Sequence, residues 1–173
     1  GHTYKINCVA LSPDSRYALV GTEGKTFDLI RMSTGDKQTI FQGHFYGVNT
    51  VSFSPNGRYA LSGGGDNLIK LWDIATGQLV KSFEGHTGSI QTALFTPDER
   101  YILSGSEDST LRIWDVAKGI SIKTLTGHSD TVTAATSIRD LKHVISGSAD
   151  ASIRKWDITA SSEIVRMYGS ADG

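Results

Sequence analysis

Ser104, Asp108 and His86 fall within one short stretch of the chain, the histidine eighteen residues before the serine. A serine, a carboxylate and a histidine are the parts of a hydrolase triad, in which the imidazole takes the hydroxyl proton and the acid orients the imidazole. Such chemistry also needs an oxyanion hole and an exposed hydroxyl beside the base, and no G-x-S-x-G elbow occurs here. The same three residue types recur as Ser62, Asp66 and His44, and again as Ser146, Asp150 and His128, at identical separations. An active site is normally built once. Threefold repetition points to a structural duty.

The repetition extends through the whole chain. Gly-His stands at Gly1-His2, Gly43-His44, Gly85-His86 and Gly127-His128, with a constant period of 42 residues. All three tryptophans keep that period, Trp72, Trp114 and Trp156, each followed by an aspartate, Asp73, Asp115 and Asp157. So do all three prolines, Pro13, Pro55 and Pro97. A self-similar period of this length means an array of one supersecondary unit, so every motif is read per unit.

Within a unit, GVNTVSFS and SIQTALFT alternate apolar and polar residues as a strand with two different faces requires. SPNG, TPDE and SPDS follow, and proline with Asn or Asp makes a tight reversal. RYALSG and RYILSG form a second strand, NLIKLWDI and STLRIWDV a third, and LVKSFEGH and IKTLTGH a fourth. No segment has helical periodicity. The expectation is an all-β chain of four-stranded antiparallel meanders.

Lysine and arginine (17) nearly balance aspartate and glutamate (18), which leaves a formal charge of −1 and no electrostatic footprint for nucleic acid or an anionic membrane. One cysteine, Cys8, rules out an internal disulfide and any multi-cysteine metal site. No apolar run approaches the roughly 18 residues of a membrane span. These features suit a reducing, cytoplasmic compartment, with no cofactor and no metal expected.

The Gly-His near the start of each unit, the Trp-Asp closing its third strand and the 42-residue period resemble WD40 repeats, the blades of a β-propeller. The resemblance covers essentially the whole chain. It implies four blades, 1–42, 43–84, 85–126 and 127–168, followed by a short tail, 169–173. It also implies a structural tetrad in each intact blade. These are His44, Ser62, Asp66 and Trp72; His86, Ser104, Asp108 and Trp114; and His128, Ser146, Asp150 and Trp156. The first unit keeps His2, but Val20, Gly24 and Ile30 stand at the other tetrad positions and Arg31 replaces the aspartate after the tryptophan. It is expected to lack the tetrad and to pack through Phe27 and Leu29. In the fourth unit SIRDLKHV replaces the proline turn, with Asp140 in the place of Asp98.

The resemblance further implies a partner-binding rim where the loops after each Gly-His meet the turns that carry the tetrad aspartates. Its residues here are Lys5, Asn7 and Glu23 in the first unit, and Asn49 beside Gly47 and Gly65 in the second. The third supplies Ser89, Gln91 and Glu107, and the fourth Thr131, Thr133 and Ala149. This set is small and polar, without hot-spot residues, so Tyr46 is the best anchor, with Tyr4 and Phe45 as neighbours. Lys70, Arg112 and Arg154, two residues before each tryptophan, read as long stems covering blade surface with their charges in water.

The implied function is a non-catalytic scaffold for a protein or peptide partner, without nucleic acid or membrane. The alternatives are a propeller enzyme, hydrolase or lyase, with a channel site, and a purely structural module. Because the chain begins inside its motif without a methionine, it is expected to be part of a larger ring, completed by further blades of a parent chain. A second copy completing an eight-bladed ring and a closed four-bladed ring are the other possibilities.

Overall fold

The β-branched and aromatic residues of each unit pack as alternating faces of short strands, joined by turns that hold their own hydrogen bonds. In the first turn the Ser12 hydroxyl donates to Asp14 at 2.6 Å, and Asp14 accepts the Arg16 N–H at 3.0 Å. Ser54 with Asn56, and Thr96 with Asp98, repeat the arrangement. The computed structural model describes residues 4–137, 142–158, 160 and 162–168. His2, Asp140 and the 169–173 tail lie outside them.

Among the described residues, sixteen strands form four antiparallel sheets, each in sequential order. The first holds β1 (Ile6–Leu11), β2 (Tyr17–Thr22), β3 (Thr26–Arg31) and β4 (Lys37–Gln42). The second holds β5 (Val48–Phe53), β6 (Tyr59–Gly64), β7 (Ile69–Asp73) and β8 (Leu79–Phe83). The third holds β9 (Ile90–Phe95), β10 (Tyr101–Ser106), β11 (Leu111–Asp115) and β12 (Ile120–Leu125). The fourth holds β13 (Val132–Ser137), β14 (His143–Ser148), β15 (Ser152–Asp157) and β16 (Ser162–Tyr168). No helix occurs among the described residues, so none is long and apolar enough to cross a membrane.

The core is three layers of side chains, one between each pair of successive sheets. Leu19, Phe27, Leu29 and Phe41 of the first sheet meet Val48, Val51, Ala60 and Trp72 of the second. Leu61, Ile69, Leu71 and Phe83 then meet Ile90, Ala93, Ile102 and Trp114. Leu103, Leu111, Ile113 and Leu125 meet Val132, Val144 and Trp156. The first three sheets thus present a leading face rich in leucine and phenylalanine, and the last three a trailing face that carries the tryptophan. Strand contacts join β1 and β2 to β5, β5 and β6 to β9, and β9 and β10 to β13. The first and last sheets do not meet, which corrects the possibility of a closed four-bladed ring. Their outer faces are left uncovered, with Ile6, Val9 and Leu11 exposed at one end and Ile153 and Met167 at the other.

Candidate functional site

The serine, aspartate and histidine noticed in the sequence do come together, and a tryptophan joins them. In the second sheet His44 Nδ1 lies 2.9 Å from Asp66 Oδ1, His44 Nε2 lies 2.7 Å from Ser62 Oγ, and the Trp72 indole N–H donates to Ser62 Oγ at 2.8 Å. In the third, His86 Nδ1 is 2.7 Å from Asp108 Oδ2, and Ser104 Oγ is 2.8 Å from both His86 Nε2 and Trp114 Nε1. In the fourth, the corresponding distances among His128, Asp150, Ser146 and Trp156 are 2.8, 2.8 and 2.9 Å.

The donors and acceptors assign the protons. An indole N–H only donates, so the serine oxygen accepts it; the serine hydroxyl then donates to His Nε2, and His Nδ1–H donates to the carboxylate. Each carboxylate also accepts backbone N–H groups. Asp66 takes those of Phe45 at 3.1 Å and Leu68 at 3.3 Å, Asp108 those of Thr87 and Thr110, and Asp150 those of Ser129 and Ser152. The network therefore ties the loop after each Gly-His to the turn between the second and third strands of the same sheet. At Gly43, Gly85 and Gly127 the indole edge lies close against the backbone, joined at the last two by the Arg112 and Arg154 guanidinium groups. A Cβ on Gly43 would stand 2.9 Å from Trp72 Cη2.

Burial alone would raise the Asp108 carboxyl, but hydrogen bonds from Thr110, Thr87 and His86 reverse it and hold the group down at about 2. Asp66 and Asp150 are lowered by the same balance. His86 is lowered by burial; Asp108 partly offsets this, and Arg112 nearby adds to it. A neutral imidazole beside an ionised carboxylate is what the proton assignment requires. The serine oxygens sit at the bottom of this arrangement: Ser62 and Ser104 are 0% exposed and Ser146 1%. Each has an indole on one side and an imidazole on the other, so no substrate carbonyl reaches it.

The first sheet lacks the network; there the Thr22 hydroxyl accepts the Gly24 N–H at 3.1 Å, and buried Asp28 pairs with Lys37 at 2.6 Å. Gly24, at the aspartate position, leaves space for the Tyr4 ring, whose Cδ2 would lie 2.8 Å from a Cβ placed there. Phe27 stacks on Phe41 at 4.4 Å, and both rings meet the Trp72 edge, at 5.6 and 5.7 Å. This aromatic cluster packs the first sheet against the second, as Phe83 and Trp114 do at the next junction.

Lys70, Arg112 and Arg154 depart from the reading that put their charges in water. Lys70 and Arg154 are buried, and Arg112 is half-buried. Arg154 Nη2 lies 3.7 Å from Asp150 Oδ2, and the Arg112 guanidinium lies 5.8 Å from the Trp114 ring centre. These side chains share the trailing face with the tryptophan, and the preceding sheet covers that face. A planar, weakly hydrated guanidinium tolerates such a place beside an indole and a carboxylate.

At the rim, Lys5 pairs with Glu23 at 3.3 Å. Asn7 and Asn49 donate across to the next sheet, to the carbonyls of Val48 and Ile90, at 3.2 and 3.1 Å. Glu107 accepts from Ser89 and Gln91 at 2.8 and 2.9 Å. Thr133 donates to Gly147 O within its own sheet, and the Thr131 carbonyl accepts the Ala149 N–H. Phe45 and Tyr46 project outward, 67% and 64% exposed, at an open cleft of about 770 Å³ between the first two sheets. Lys25 and Asn67 also line this cleft and had not been singled out from the sequence. They occupy equivalent positions one period apart, just after the tetrad-aspartate position, and that equivalence was the available signal.

Among protein-family models, the WD domain, G-beta repeat, matches residues 1–27, 35–73, 77–115 and 119–157. The last three segments each run from the final strand of one sheet through the Trp-Asp of the next, one strand out of phase with the sheets. The first stops at Phe27, before Ile30 and Arg31 leave the pattern. No curated protein matches the chain. With four repeats matched over most of its length and four sheets built as blades, the chain belongs to the WD40 repeat family.

Proposed function

We propose that the protein is a non-catalytic interaction scaffold that takes a protein or peptide in the cleft between its first and second blades. WD40 repeats are, as a class, protein-interaction domains, and the finer reading rests on one observation. Two large aromatic side chains, Phe45 and Tyr46, stand exposed on a loop pinned from beneath by the bond from the Phe45 N–H to Asp66. Exposed aromatics on a fixed loop lose little freedom on binding, the usual property of an interface anchor. Glu23 and Lys25 on the opposite wall supply one charge of each sign for orientation. In this reading the tetrads hold the loops in place and perform no chemistry. The outer faces of the first and last blades are covered in the assembled state, by further blades of a parent chain or by a second copy. A cytoplasmic setting agrees with the single free thiol of Cys8.

The test is quantitative binding of a partner recovered with the wild-type protein from its source cell. Tyr46→Ala is expected to weaken that binding by more than tenfold, the loss of about 2 kcal/mol typical of an aromatic anchor, with the thermal transition unchanged. Undiminished binding by this variant would remove the cleft from consideration.

A further inference from the structure

In the second blade Arg58 and Asp73 meet beside Tyr59, with Arg58 Nε 3.7 Å from Asp73 Oδ2 and the guanidinium 4.9 Å from the ring centre. Asp73 also holds the turn that follows it, since its Oδ1 accepts the Thr76 N–H at 3.0 Å. Asp115 accepts the Lys118 N–H and Asp157 the Ala160 N–H in the same way, at 2.9 and 3.2 Å. The first blade inverts the charge at this position. Arg31 stands where those aspartates stand, while Arg16 remains at the place of Arg58.

The backbone holds the two arginines side by side. Tyr17 lies opposite Arg31 in the pairing of β2 with β3, and the Met32 N–H donates to the Arg16 carbonyl at 2.9 Å. The Arg31 guanidinium takes the tyrosine, 5.7 Å from the Tyr17 ring centre, and donates to Gln38 Oε1 at 3.1 Å. Arg16 is left with neither the ring nor the carboxylate that Arg58 has, and among the described residues its side chain makes no ion pair and no ring contact. Asp14, on the same turn, is the competing carboxylate, and its Oδ1 already accepts the Ser12 hydroxyl and the Arg16 N–H. The turn after Arg31 has also lost its acceptor. Among the described residues the Thr34 N–H reaches only the Arg31 carbonyl, at 3.4 Å, where the equivalent Thr76 has a carboxylate at 3.0 Å. Both arginines line an open cleft of about 340 Å³ with Ser15, Tyr17, Met32 and Ser33. All of these belong to the first blade, and Tyr17 is packed against the cluster between the first two blades, so no residue of another blade is needed to form the cleft.

We propose that this cleft binds the phosphate of a phosphorylated serine or threonine side chain in a protein partner. Charge selects the ligand. One arginine and one carboxylate balance in the second blade, whereas two arginines without that carboxylate call for a dianion, and a phosphomonoester carries about −1.5 to −2 near pH 7. Guanidinium groups bind phosphate oxygens through parallel pairs of N–H donors, and the Ser15 and Ser33 hydroxyls and the Thr34 N–H are further donors nearby. With a formal charge of −1, the chain has no excess positive charge to hold a membrane or a nucleic acid, which favours a single phosphate on a protein. The proposal rests on the scaffold reading only for the partner being a protein. Its site lies at the Tyr17 end of β2, and the cleft beside Tyr46 lies past the Thr22 end.

NMR titration of the isotope-labelled protein tests it. The probes are a short phosphoserine peptide with glycine and serine flanks, the same peptide with serine or glutamate in place of the phosphoserine, and phosphatidylserine vesicles. The phosphopeptide is expected to shift the signals of Arg16, Arg31 and Thr34 and to bind about tenfold more tightly than the glutamate peptide. Arg31→Asp rebuilds the pair present in the second blade, so it is expected to keep the thermal transition and to weaken phosphopeptide binding by about tenfold or more, as is Arg16→Ala. Arg58→Ala and Tyr46→Ala are expected to leave it intact, the latter separating this site from the cleft beside Tyr46. That pattern supports the proposal. No shift with the phosphopeptide, equal binding of the serine or glutamate peptide, binding of the vesicles alone, or phosphopeptide binding that survives either substitution of Arg16 or Arg31 overturns it.

Discussion

Trp114→Ala is expected to destabilise the protein by about 3–5 kcal/mol, the range for removing a large aromatic from a packed core. Trp114 is 1% exposed and lies edge-on to Phe83 at 5.9 Å across the junction of the second and third blades. Its loss opens a cavity there, takes the indole donor from Ser104, and removes the surface beside which Arg112 lies. Blades of a repeat protein are stabilised by their neighbours, so damage at one junction is felt on both sides of it. Ile30→Ala, at the equivalent position in the first blade, is the control. Its site is half-buried and has no following hydrogen bond, and about 1 kcal/mol is expected. Denaturant unfolding of the three proteins measures the difference; equal midpoints for Trp114→Ala and Ile30→Ala would show that the indole carries no special weight.

Asp108→Ala removes the acceptor for His86 Nδ1, the Thr110 hydroxyl and two backbone N–H groups. The His86 side chain is fully buried, and its orphaned donor alone accounts for most of an expected loss of about 2–3 kcal/mol. The effect carries a pH signature. The folded-state carboxyl is held at about 2 against 3.8 for a free aspartate, so its stabilisation is complete above 3.8 and is lost as the pH falls towards about 2. The gap between wild type and variant therefore closes over that window. His86 acts at a higher pH with the same sense. Its depressed value means the fold prefers the neutral ring, so this contribution is present above 6.5 and is lost as the pH falls below it. A gap that stays constant from neutral pH to pH 2 would contradict the network.

The strands and the tetrad positions were legible because they follow from period and pattern. Once Trp72, Trp114 and Trp156 share a register with His44, His86 and His128, one blade describes three. The features that depend on one blade lying against another were less so. Arg154 reads as a surface residue when its strand is considered alone, yet the preceding sheet covers it and Asp150 lies beside it. Asn7 and Asn49 stand at rim positions, but their amides cross to the next blade. Tyr4 reads as a loop aromatic, and only the packed structure places its ring over Gly24, in the space an aspartate would need. The glycines of the inner junctions are similar. Gly63 and Gly105 are periodic in the sequence, but their purpose appears only with Ile90 and Val132 seated on them.

The reading that the Ser-His-Asp groups are structural stands or falls on whether a serine in them reacts. Treating the folded protein with an active-site serine phosphonate, followed by peptide mass spectrometry, measures this directly. The expected result is no adduct on Ser62, Ser104 or Ser146 in the native protein, since each oxygen is buried between an indole and an imidazole. An adduct on any one of the three that forms in the native state and disappears when the protein is unfolded before treatment would contradict it.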